Sequence, residues 1–397
     1  MSKNDKKLVP ELRFPEFKSF DGWSEITLNK LASRVTLRNT NNRINRVLTN
    51  SAIEGVVDQR DYFDKDIANK NNITNYFVVE FGDYVYNPRV SSVAPVGPIS
   101  KNKLGTGVMS PLYTVFKFHN DKNDFYEQYF KSTHWHAYLR LASNSGARYD
   151  RMAISNDDFM RMPLPYTHPD EQKKIADCLT SIDELISAQT NKVESLKNYK
   201  KGLMQNLFPA EGETIPKLHF PEFNSSNEWQ QKQIGDLLKI GSGKDYKHLS
   251  KGTVPVYGSG GYMSSVNDFL YDGESACIGR KGTINKPMFL SGKFWTVDTL
   301  FYTHSYNDCL PKFVFYIFQN INWYNYNEAG GVPSLSKSTI EKIQILLPLP
   351  EEQQKIVDCL TVVDDLIGTQ SNKLDSLIKH KKGLMQQLFP STYEGQK

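Results

Sequence analysis

Residues 171–209 read EQKKIADCLTSIDELISAQTNKVESLKNYKKGLMQNLFP, and residues 352–390 read EQQKIVDCLTVVDDLIGTQSNKLDSLIKHKKGLMQQLFP. The two stretches are identical at 25 of 39 positions, at a constant offset of 181. In each, apolar residues recur at alternating steps of four and three, a pattern typical of helices packed in a coiled coil. The predicted seam comprises Ile175, Leu179, Ile182, Ile186, Gln189, Val193, Leu196, Lys200, Leu203 and Leu207, and then Ile356, Leu360, Val363, Ile367, Gln370, Leu374, Leu377, Lys381, Leu384 and Leu388.

A short connection indicates the relative direction of the two helices. About 37 helical residues span ~55 Å, whereas the link PAEGETIPK (209–217) reaches at most ~30 Å. The second helix can therefore pair with the first only by running back antiparallel to it. Gln189 and Gln370 lie centrally in their seams, and we expect them to face each other and set the register. The alternative is two unrelated amphipathic helices, each on a separate core.

A larger repeat surrounds the helices. LRFPEF (12–17) with Trp23 returns as LHFPEF (218–223) with Trp229, at an offset of 206. The segments between these openings and the helices share little sequence and read as mixed helices and strands. We therefore predict an α+β fold with two mixed α/β domains separated by an antiparallel coiled coil of two long helices, related by a pseudo-two-fold internal repeat. The predicted boundaries are 12–165 and 218–350 for the domains, 166–209 and 351–390 for the helices, and 210–217 for the linker.

Composition excludes several classes of protein. The 48 basic and 44 acidic residues give a net charge of +4, so a nucleic-acid surface would have to be locally positive. Four cysteines without a CxxC motif indicate neither a disulfide framework nor a zinc site. The first residues lack the apolar region of a signal peptide, and no apolar run approaches the ~18 residues of a membrane span. We expect a soluble, cytoplasmic protein that does not enter a membrane.

Motifs for catalysis are not found in the sequence. GSGKD (241–245) lacks the spacing of a phosphate-binding P-loop, and GSGG (258–261) is not a dinucleotide-binding motif. No adenine-methylating Asp/Asn-Pro-Pro-Tyr/Phe motif occurs. His134 and His136 flank Trp135, but such an isolated pair is more typical of packing or surface than of a metal site. We predict no catalytic residue and no metal site in this chain.

Polar and basic loops are the candidate functional surface. Arginine and lysine can bind guanine edges, asparagine can bind adenine, and hydroxyls and backbone amides can hold phosphate. Taken singly, each residue also fits an ordinary surface position; taken together, they predict contacts to DNA. The candidates are Tyr86, Asn87, Arg89, Ser91, Ser92, Lys101, Lys103, Arg148, Tyr149 and Arg151, followed by Tyr257, Ser259, Tyr262, Arg280, Lys281, Thr283, Asn285, Lys286, Ser334 and Lys337.

The repeated motifs resemble those of the specificity (S) subunit of type I restriction-modification enzymes. The similarity lies in the LxFPEF openings, the EQxKI helix starts after PLP, and the KKGLMQxLFP helix ends. YNPRVSSVAPVGPI and GVMSPLYTVF resemble one class of target recognition domain, whereas YGSGGY, IGRKGTINKP and FWTVDTLFY resemble another. The resemblance covers nearly the whole chain. It implies a non-catalytic subunit whose two domains each read half of a bipartite, asymmetric DNA site, with the helices setting the spacer.

The same resemblance implies a set of partners. These are double-stranded DNA, two modification (methyltransferase) subunits that methylate adenine with S-adenosylmethionine, and restriction subunits that translocate and cut with ATP and Mg²⁺. No cofactor is expected in this chain itself. A coiled-coil scaffold whose domains bind protein or glycan is the main alternative. A stand-alone nuclease or methyltransferase is a third possibility, disfavoured by the missing motifs.

Overall fold

The computed structural model describes residues 8–62, 73–143, 150–223 and 228–390. Its α-helices are α1 (Leu28–Leu31), α2 (Gln59–Tyr62), α3 (Asp124–Phe130), α4 (His136–Ala142), α5 (Asn156–Met160), α6 (Pro169–Leu207), α7 (Ile234–Leu237), α8 (Pro311–Asn320), α9 (Lys337–Glu341) and α10 (Pro350–Leu388). Its strands in the N-terminal half are β1 (Ser24–Thr27), β2 (Ala32–Arg34), β3 (Leu48–Ser51), β4 (Gly55–Asp58), β5 (Phe77–Val79), β6 (Tyr84–Tyr86), β7 (Ile99–Lys101), β8 (Gly107–Met109), β9 (Thr114–Phe118) and β10 (Pro163–Tyr166). Those in the C-terminal half are β11 (Gln230–Gln233), β12 (Lys239–Ser242), β13 (Lys251–Gly258), β14 (Gly261–Val266), β15 (Tyr271–Asp272), β16 (Ser275–Gly279), β17 (Met288–Leu290), β18 (Lys293–Thr296), β19 (Leu300–His304) and β20 (Gln344–Leu347).

The two long helices α6 and α10 each contain 39 residues. Each begins at a proline and has acidic side chains in its first turn, where a missing amide costs no bond and negative charge is favoured. All twenty predicted seam positions are buried or half-buried, and most positions between them in the central turns are exposed. The helices are therefore amphipathic, with one buried stripe that is apolar except for a glutamine and a lysine in each helix. Within the described ranges, no helix is both long and apolar enough to cross a membrane.

The chain divides into two compact units. The first unit is Met1–Gln189 with Lys373–Lys397, and the second is Thr190–Asn372. Each unit therefore contains one half of α6 and one half of α10. In the first unit Asp183 of α6 pairs with Lys381 of α10, while Leu179 shares a core with Leu388. From Leu179 to Asp183 along α6, the partner on α10 moves back from Leu388 to Lys381, so the helices run antiparallel, as predicted.

The two units share a topology that their sequences do not reveal. In the first unit β1 pairs with β10, and a four-stranded antiparallel sheet has the order β2-β9-β6-β7. In the second unit β11 pairs with β20, and the corresponding sheet has the order β12-β19-β16-β17. The remaining strands differ: β3–β4 and β5–β8 form pairs in the first unit, whereas the second has the sheet β14-β13-β18-β15. The two units thus share one four-stranded sheet and one strand pair, a common frame, and differ in their additional strands.

The last turn of each long helix is buried in an aromatic core. In the first unit Phe389, just after α10, lies with its ring 5.3 Å from Phe125 and 5.4 Å from Tyr129. In the second unit Phe208, just after α6, stacks on Phe313 at 5.6 Å. The repeated LFP sequence therefore anchors each helix in a core made largely by the helix and sheet of the other repeat.

The LxFPEF motif forms a strap across both long helices. In the first unit the Leu12 amide donates to the Gln387 carbonyl of α10 at 3.0 Å, and Glu16 pairs with Lys174 of α6 at 3.3 Å. The repeat-equivalent contacts in the second unit are Leu218 to the Asn206 carbonyl at 2.9 Å and Glu222 to Lys355 at 2.9 Å. Each strap therefore holds the end of one long helix beside the start of the other.

Candidate nucleic-acid interface

In the first unit, the loop that follows β6 lies against the segment that precedes α5. Arg89 and Arg151 face each other in an antiparallel backbone bridge. The Val90 amide donates to the Asp150 carbonyl at 3.0 Å, and the Met152 amide donates to the Pro88 carbonyl at 2.9 Å. Two segments about 60 residues apart in sequence are thus joined into one surface. Arg89 is exposed there, and Arg151 is half-buried.

Two of the candidate residues, Tyr86 and Asn87, are buried beneath this loop and stabilise it. Tyr86 is 1% exposed, donates its hydroxyl to the Val96 carbonyl at 3.0 Å, and stacks on Phe159 at 4.6 Å. Burial raises the pKa of Tyr86. Asn87 is also buried: its amide donates to the Asn50 carbonyl at 2.9 Å, and its oxygen accepts from the Arg89 amide at 3.1 Å. Both side chains shape the loop and leave almost no surface for a contact with DNA.

Two predicted cations of the first unit are neutralised locally. Lys101 pairs with Asp124 at 2.8 Å, and Lys103 pairs with Glu127 at 2.7 Å. Both acids lie on α3, so these lysines fasten the sheet to that helix. The exposed Ser91 and Ser92 remain on the β6 loop beside Arg89, and Arg148 and Tyr149 lie outside the described residues.

The second unit builds a surface at the same topological position. The loop that follows β16 (280–287) lies against the segment that precedes α9. Lys281 and Ser334 face each other in an antiparallel bridge. The Leu335 amide donates to the Arg280 carbonyl at 2.8 Å, and the Gly282 amide donates to the Pro333 carbonyl at 2.9 Å. The candidates on both segments are thereby brought together.

The β13–β14 hairpin joins this surface. Ser259 donates its hydroxyl to the Lys281 carbonyl at 2.8 Å. The rings of Tyr257 and Tyr262 lie 6.1 Å apart, and Tyr262 is 64% exposed at the edge of the hairpin. Such an aromatic face is suited to contacts with sugars or bases. The remaining candidates lie further along the β16 loop, with Thr283 half-buried and Asn285 and Lys286 exposed.

Glycine is required in the β16 loop at two positions. Gly282 has a φ of +86°, a conformation that other residues rarely adopt. A Cβ atom on Gly279 would lie 2.1 Å from the Thr283 carbonyl oxygen, so the chain can close this turn only without a side chain. The tight turn places the exposed side chains of Arg280 and Lys281 at its outer edge.

The electrostatics of the second surface favour an anionic ligand. Arg280, Lys281, Ser334 and Lys337 line an open cavity of about 780 Å³. The ion pairs of the second unit, as far as the structure describes it, lie on the long helices and the strap, and none involves these cations. A chain with a net charge of only +4 thus places three cations that have no ion pair in the described residues around one cavity. Such a surface can hold phosphate and present donors to base edges.

His134 and His136 of the first unit are packed against aromatic rings. Burial lowers the pKa of His134, whose ring lies 6.3 Å from that of Phe389. Burial, with Arg140 and His134 nearby, lowers the pKa of His136 to about 4, and its ring lies against Trp135 at 4.6 Å. Among the residues that the structure describes, no group of three or more histidine, cysteine or acidic side chains is placed to hold a metal ion.

Sequence reasoning missed the one acidic side chain that lines this cavity, Glu328. Glu328 lies among its cations and follows Asn327, whose side chain closes the loop by bonds to the Ala329 and Ser334 amides. The preceding Asn and following Ala-Gly-Gly mark a turn but give no sign that the acid is held in place. Only the fold shows that Ser336 and Thr339 donate to it.

Comparisons with known proteins agree with this geometry. The family model of the type I restriction modification DNA specificity domain matches residues 226–379. The putative type I restriction enzyme MjaX specificity subunit of Methanocaldococcus jannaschii is 26% identical over 60% of this chain and 61% of its own length. The MjaVIII specificity subunit of the same organism is 27% identical over 41% of this chain and 42% of its own. The chain thus spans less than two thirds of the length of these relatives.

Solved structures share the fold along nearly the whole chain. The crystal structure of a type I restriction-modification system S subunit from M. genitalium superposes with a TM-score of 0.62 and 14% identity, covering 97% of this chain and 100% of that one. A chain from a structural study of type I R-M complex assembly and conformational transition gives a TM-score of 0.54 and 14% identity, covering 94% and 98%. Residues 226–379 thus match the type I restriction modification DNA specificity domain, and the chain is similar in sequence to type I restriction enzyme specificity subunits and shares the fold of solved S subunits.

Proposed function

We propose that this chain reads a bipartite, asymmetric DNA site, with one half-site bound by each unit and the spacer set by α6 and α10. One observation carries the proposal. In each unit, the loop that follows the third strand of the shared sheet order (β6 or β16) lies against the segment that precedes a short helix (α5 or α9). Exposed cations lie on those segments in each unit, but the surrounding residues differ. A shared frame with unlike loops is what two different half-sites require.

The proposed target recognition domains are residues 12–165 and 218–350. Residues 166–209 and 351–390 are the proposed spacer helices, and the linker 210–217 joins the first of them to the second domain. In the first domain Arg89, with the neighbouring serines, is the principal candidate for DNA contact. In the second domain the candidates are the cations and hydroxyls of the β16 loop and the cavity beside it.

The chemistry is proposed to come from other subunits. Two modification subunits would methylate adenine with S-adenosylmethionine, and restriction subunits would translocate and cut DNA with ATP and Mg²⁺. This chain would select the site without a catalytic residue of its own. The support is the similarity of this chain to curated relatives that are named as specificity subunits.

A domain exchange tests the division of labour. Residues 22–160 would be replaced by the corresponding body of another specificity subunit, and each chain would be produced with its modification subunits in a host for methylome sequencing. We expect the native chain to yield one two-part adenine-methylated motif, and the chimera to change only one part. A motif that changes in both parts, or in neither, would contradict the assignment of one half-site to each unit.

A binding assay separates DNA reading from a scaffold function. Protein with its modification partner would be titrated against duplex DNA at rising salt concentration. Phosphate contacts release counterions, so the logarithm of the association constant should fall steeply with the logarithm of salt concentration. Weak binding with little salt dependence would favour a scaffold that binds protein or glycan.

A further inference from the structure

The basic cavity of the second unit contains one carboxylate, that of Glu328. It lines the same 780 Å³ cavity as Arg280, Lys281 and Lys337. A negative charge on a surface that binds phosphate opposes binding, so its position needs a reason. It does not neutralise the cations directly, since none of them forms an ion pair with it in the described part of the second unit.

The carboxylate is held in one orientation. The hydroxyls of Ser336 and Thr339 both donate to Oε1 of Glu328, the former at 2.7 Å. These hydroxyl bonds, that of Thr339 first, lower the pKa of Glu328, so the group is charged at neutral pH. Ser336 is itself fixed, because it caps α9 by accepting from the Thr339 amide at 3.2 Å. The loop is also fixed, because the Glu328 amide donates to the Ser334 carbonyl at 3.0 Å.

One oxygen of Glu328 is left for a ligand. A carboxylate has about four acceptor positions, and both side-chain bonds fall on Oε1. No hydrogen bond to Oε2 from any described residue accompanies them. Oε2 of this exposed side chain is therefore an oriented acceptor in a cavity whose other charged side chains are donors.

We propose that Glu328 is a specificity-determining residue that selects cytosine at one position of the half-site bound by the second unit. In the major groove, cytosine offers only the N4 amino donor, which glutamate can accept, whereas guanine offers two acceptors that repel a carboxylate. Adenine places an acceptor beside its amino group, and thymine offers an acceptor and a methyl group. The inference rests on the proposed function, and the neighbouring cations would hold phosphate or the paired guanine.

Glu328→Gln tests the inference with little change of shape. The glutamine oxygen can still accept from Ser336 and Thr339, which leaves its NH₂ group facing the base. That donor would oppose the cytosine amino group, so preference for cytosine should fall by about 10- to 100-fold at one position. Methylome sequencing of the complex with its modification subunits measures the motif, and competition between duplexes that differ at that base measures the ratio.

The control is Glu351→Gln, which removes one exposed negative charge from the same unit in the first turn of α10. We expect this variant to leave the motif unchanged. A Glu328→Gln complex with the native motif at native strength would overturn the inference. Loss of the whole motif together with a lower melting temperature would overturn it too, because Glu328 would then act by ordering its loop. If the native complex gives no two-part motif, the proposed function fails instead.

Discussion

The strap of the first unit is fastened by a buried ion pair whose removal has a measurable cost. Arg13 Nε lies 2.7 Å from Glu171 Oε1, and Nη2 lies 2.8 Å from Oε2. The Arg13 side chain is 8% exposed and that of Glu171 is fully buried. Removing one partner of a buried pair leaves the other charge uncompensated, which typically costs about 3–5 kcal/mol. We expect Arg13→Leu to lower the free energy of unfolding of the first unit by that amount.

The repeat supplies a matched control. At the equivalent place in the second unit, His219 Nδ1 lies 3.5 Å from Glu352 Oε1. Neither ring nitrogen of His219 has a hydrogen-bond partner among the described residues. His219→Leu should therefore cost less than Arg13→Leu, since it removes one long contact to a carboxylate and not two short charge-assisted bonds. Arg13→Lys should fall between the two leucine variants, because it keeps the charge and loses the bidentate geometry.

Hydrogen exchange read by mass spectrometry at increasing urea concentration gives the free energy of opening for each unit separately. This matters because a two-unit chain need not unfold in a single transition. The destabilisation by Arg13→Leu should appear in peptides of the first unit and be absent from the second. Equal destabilisation by Arg13→Leu and His219→Leu, or an Arg13→Leu effect below about 1 kcal/mol, would refute the reasoning.

Three further predictions concern pH, salt and length. Burial raises the pKa of Glu352, and the nearby His219 offsets this rise only in part, so the folded state keeps the proton to higher pH than the unfolded chain. The free energy of unfolding of the second unit should therefore fall as pH rises from about 4.5. Glu352→Gln should remove that fall in urea titrations. Replacing Arg280 and Lys281 by alanine should reduce the salt slope of DNA binding by about one for each phosphate that is no longer neutralised, whereas Lys101→Ala, already paired with Asp124, should change it less. Inserting one heptad into both α6 and α10 adds ~10 Å, so the methylome should show a spacer longer by about three base pairs and unchanged half-sites.

Different outcomes would contradict each of these. A pH profile of the Glu352→Gln variant that parallels the native profile would mean that another group dominates the titration. Equal salt slopes for the Arg280–Lys281 and Lys101 variants would mean that local ion pairing does not decide which lysines meet DNA. An unchanged spacer after the heptad insertion would refute the role of the helices as a ruler.

The long helices were predictable because their pattern is local and repeated. Apolar residues at alternating steps of four and three identify one face of a helix, whatever the sequence of the neighbouring domain. The antiparallel direction followed from chain connectivity, and the Asp183–Lys381 ion pair confirms it. The polar contacts between the helices were not predicted. That Gln189 and Gln370 set the register stays a prediction. Lys200 and Lys381 interrupt the apolar heptad pattern, and each forms an ion pair with an aspartate of the other helix.

The common frame of the two units was not visible in the sequence. The strand YVY of β6 and the strand SACIG of β16 occupy the same place in their sheets without sharing a residue type. Backbone pairing defines that place, and buried strands accept many apolar sequences. The equivalence of the two loop surfaces therefore appears only once strand order is known.

Side-chain roles in the candidate site depended on distant partners. Lys101 and Lys281 were both predicted as basic loop residues. Asp124 of α3 forms an ion pair with Lys101, whereas no described acid forms one with Lys281. Tyr86 was predicted at the surface because it starts a polar loop, but it is the last residue of a strand whose side chain points inward. Loop position was predictable from glycine and polar residues; which side chain faces out was not.

The contacts between each body and the helices explain how a body can be exchanged. In the first unit Asp183 of α6 accepts from Lys381 of α10 and also from Lys131 and Gln128, at or just after the end of α3. The repeat-equivalent contacts in the second unit are Lys200 to Asp364 at 2.7 Å and the Tyr316 hydroxyl of α8 to Asp364 at 2.9 Å.

The long helices thus present the same aspartate and lysine to both bodies, and each body supplies its own donor. A carboxylate accepts from an ammonium, an amide or a phenol alike, so the junction constrains only the presence and position of a donor. A chimera in which residues 22–160 come from another chain should fold onto α6 and α10 if the incoming helix carries such a donor where Gln128 and Lys131 now lie. If the incoming helix has an apolar residue there, Asp183 keeps only Lys381, and we expect the chimera to be less stable although its reading loops are intact.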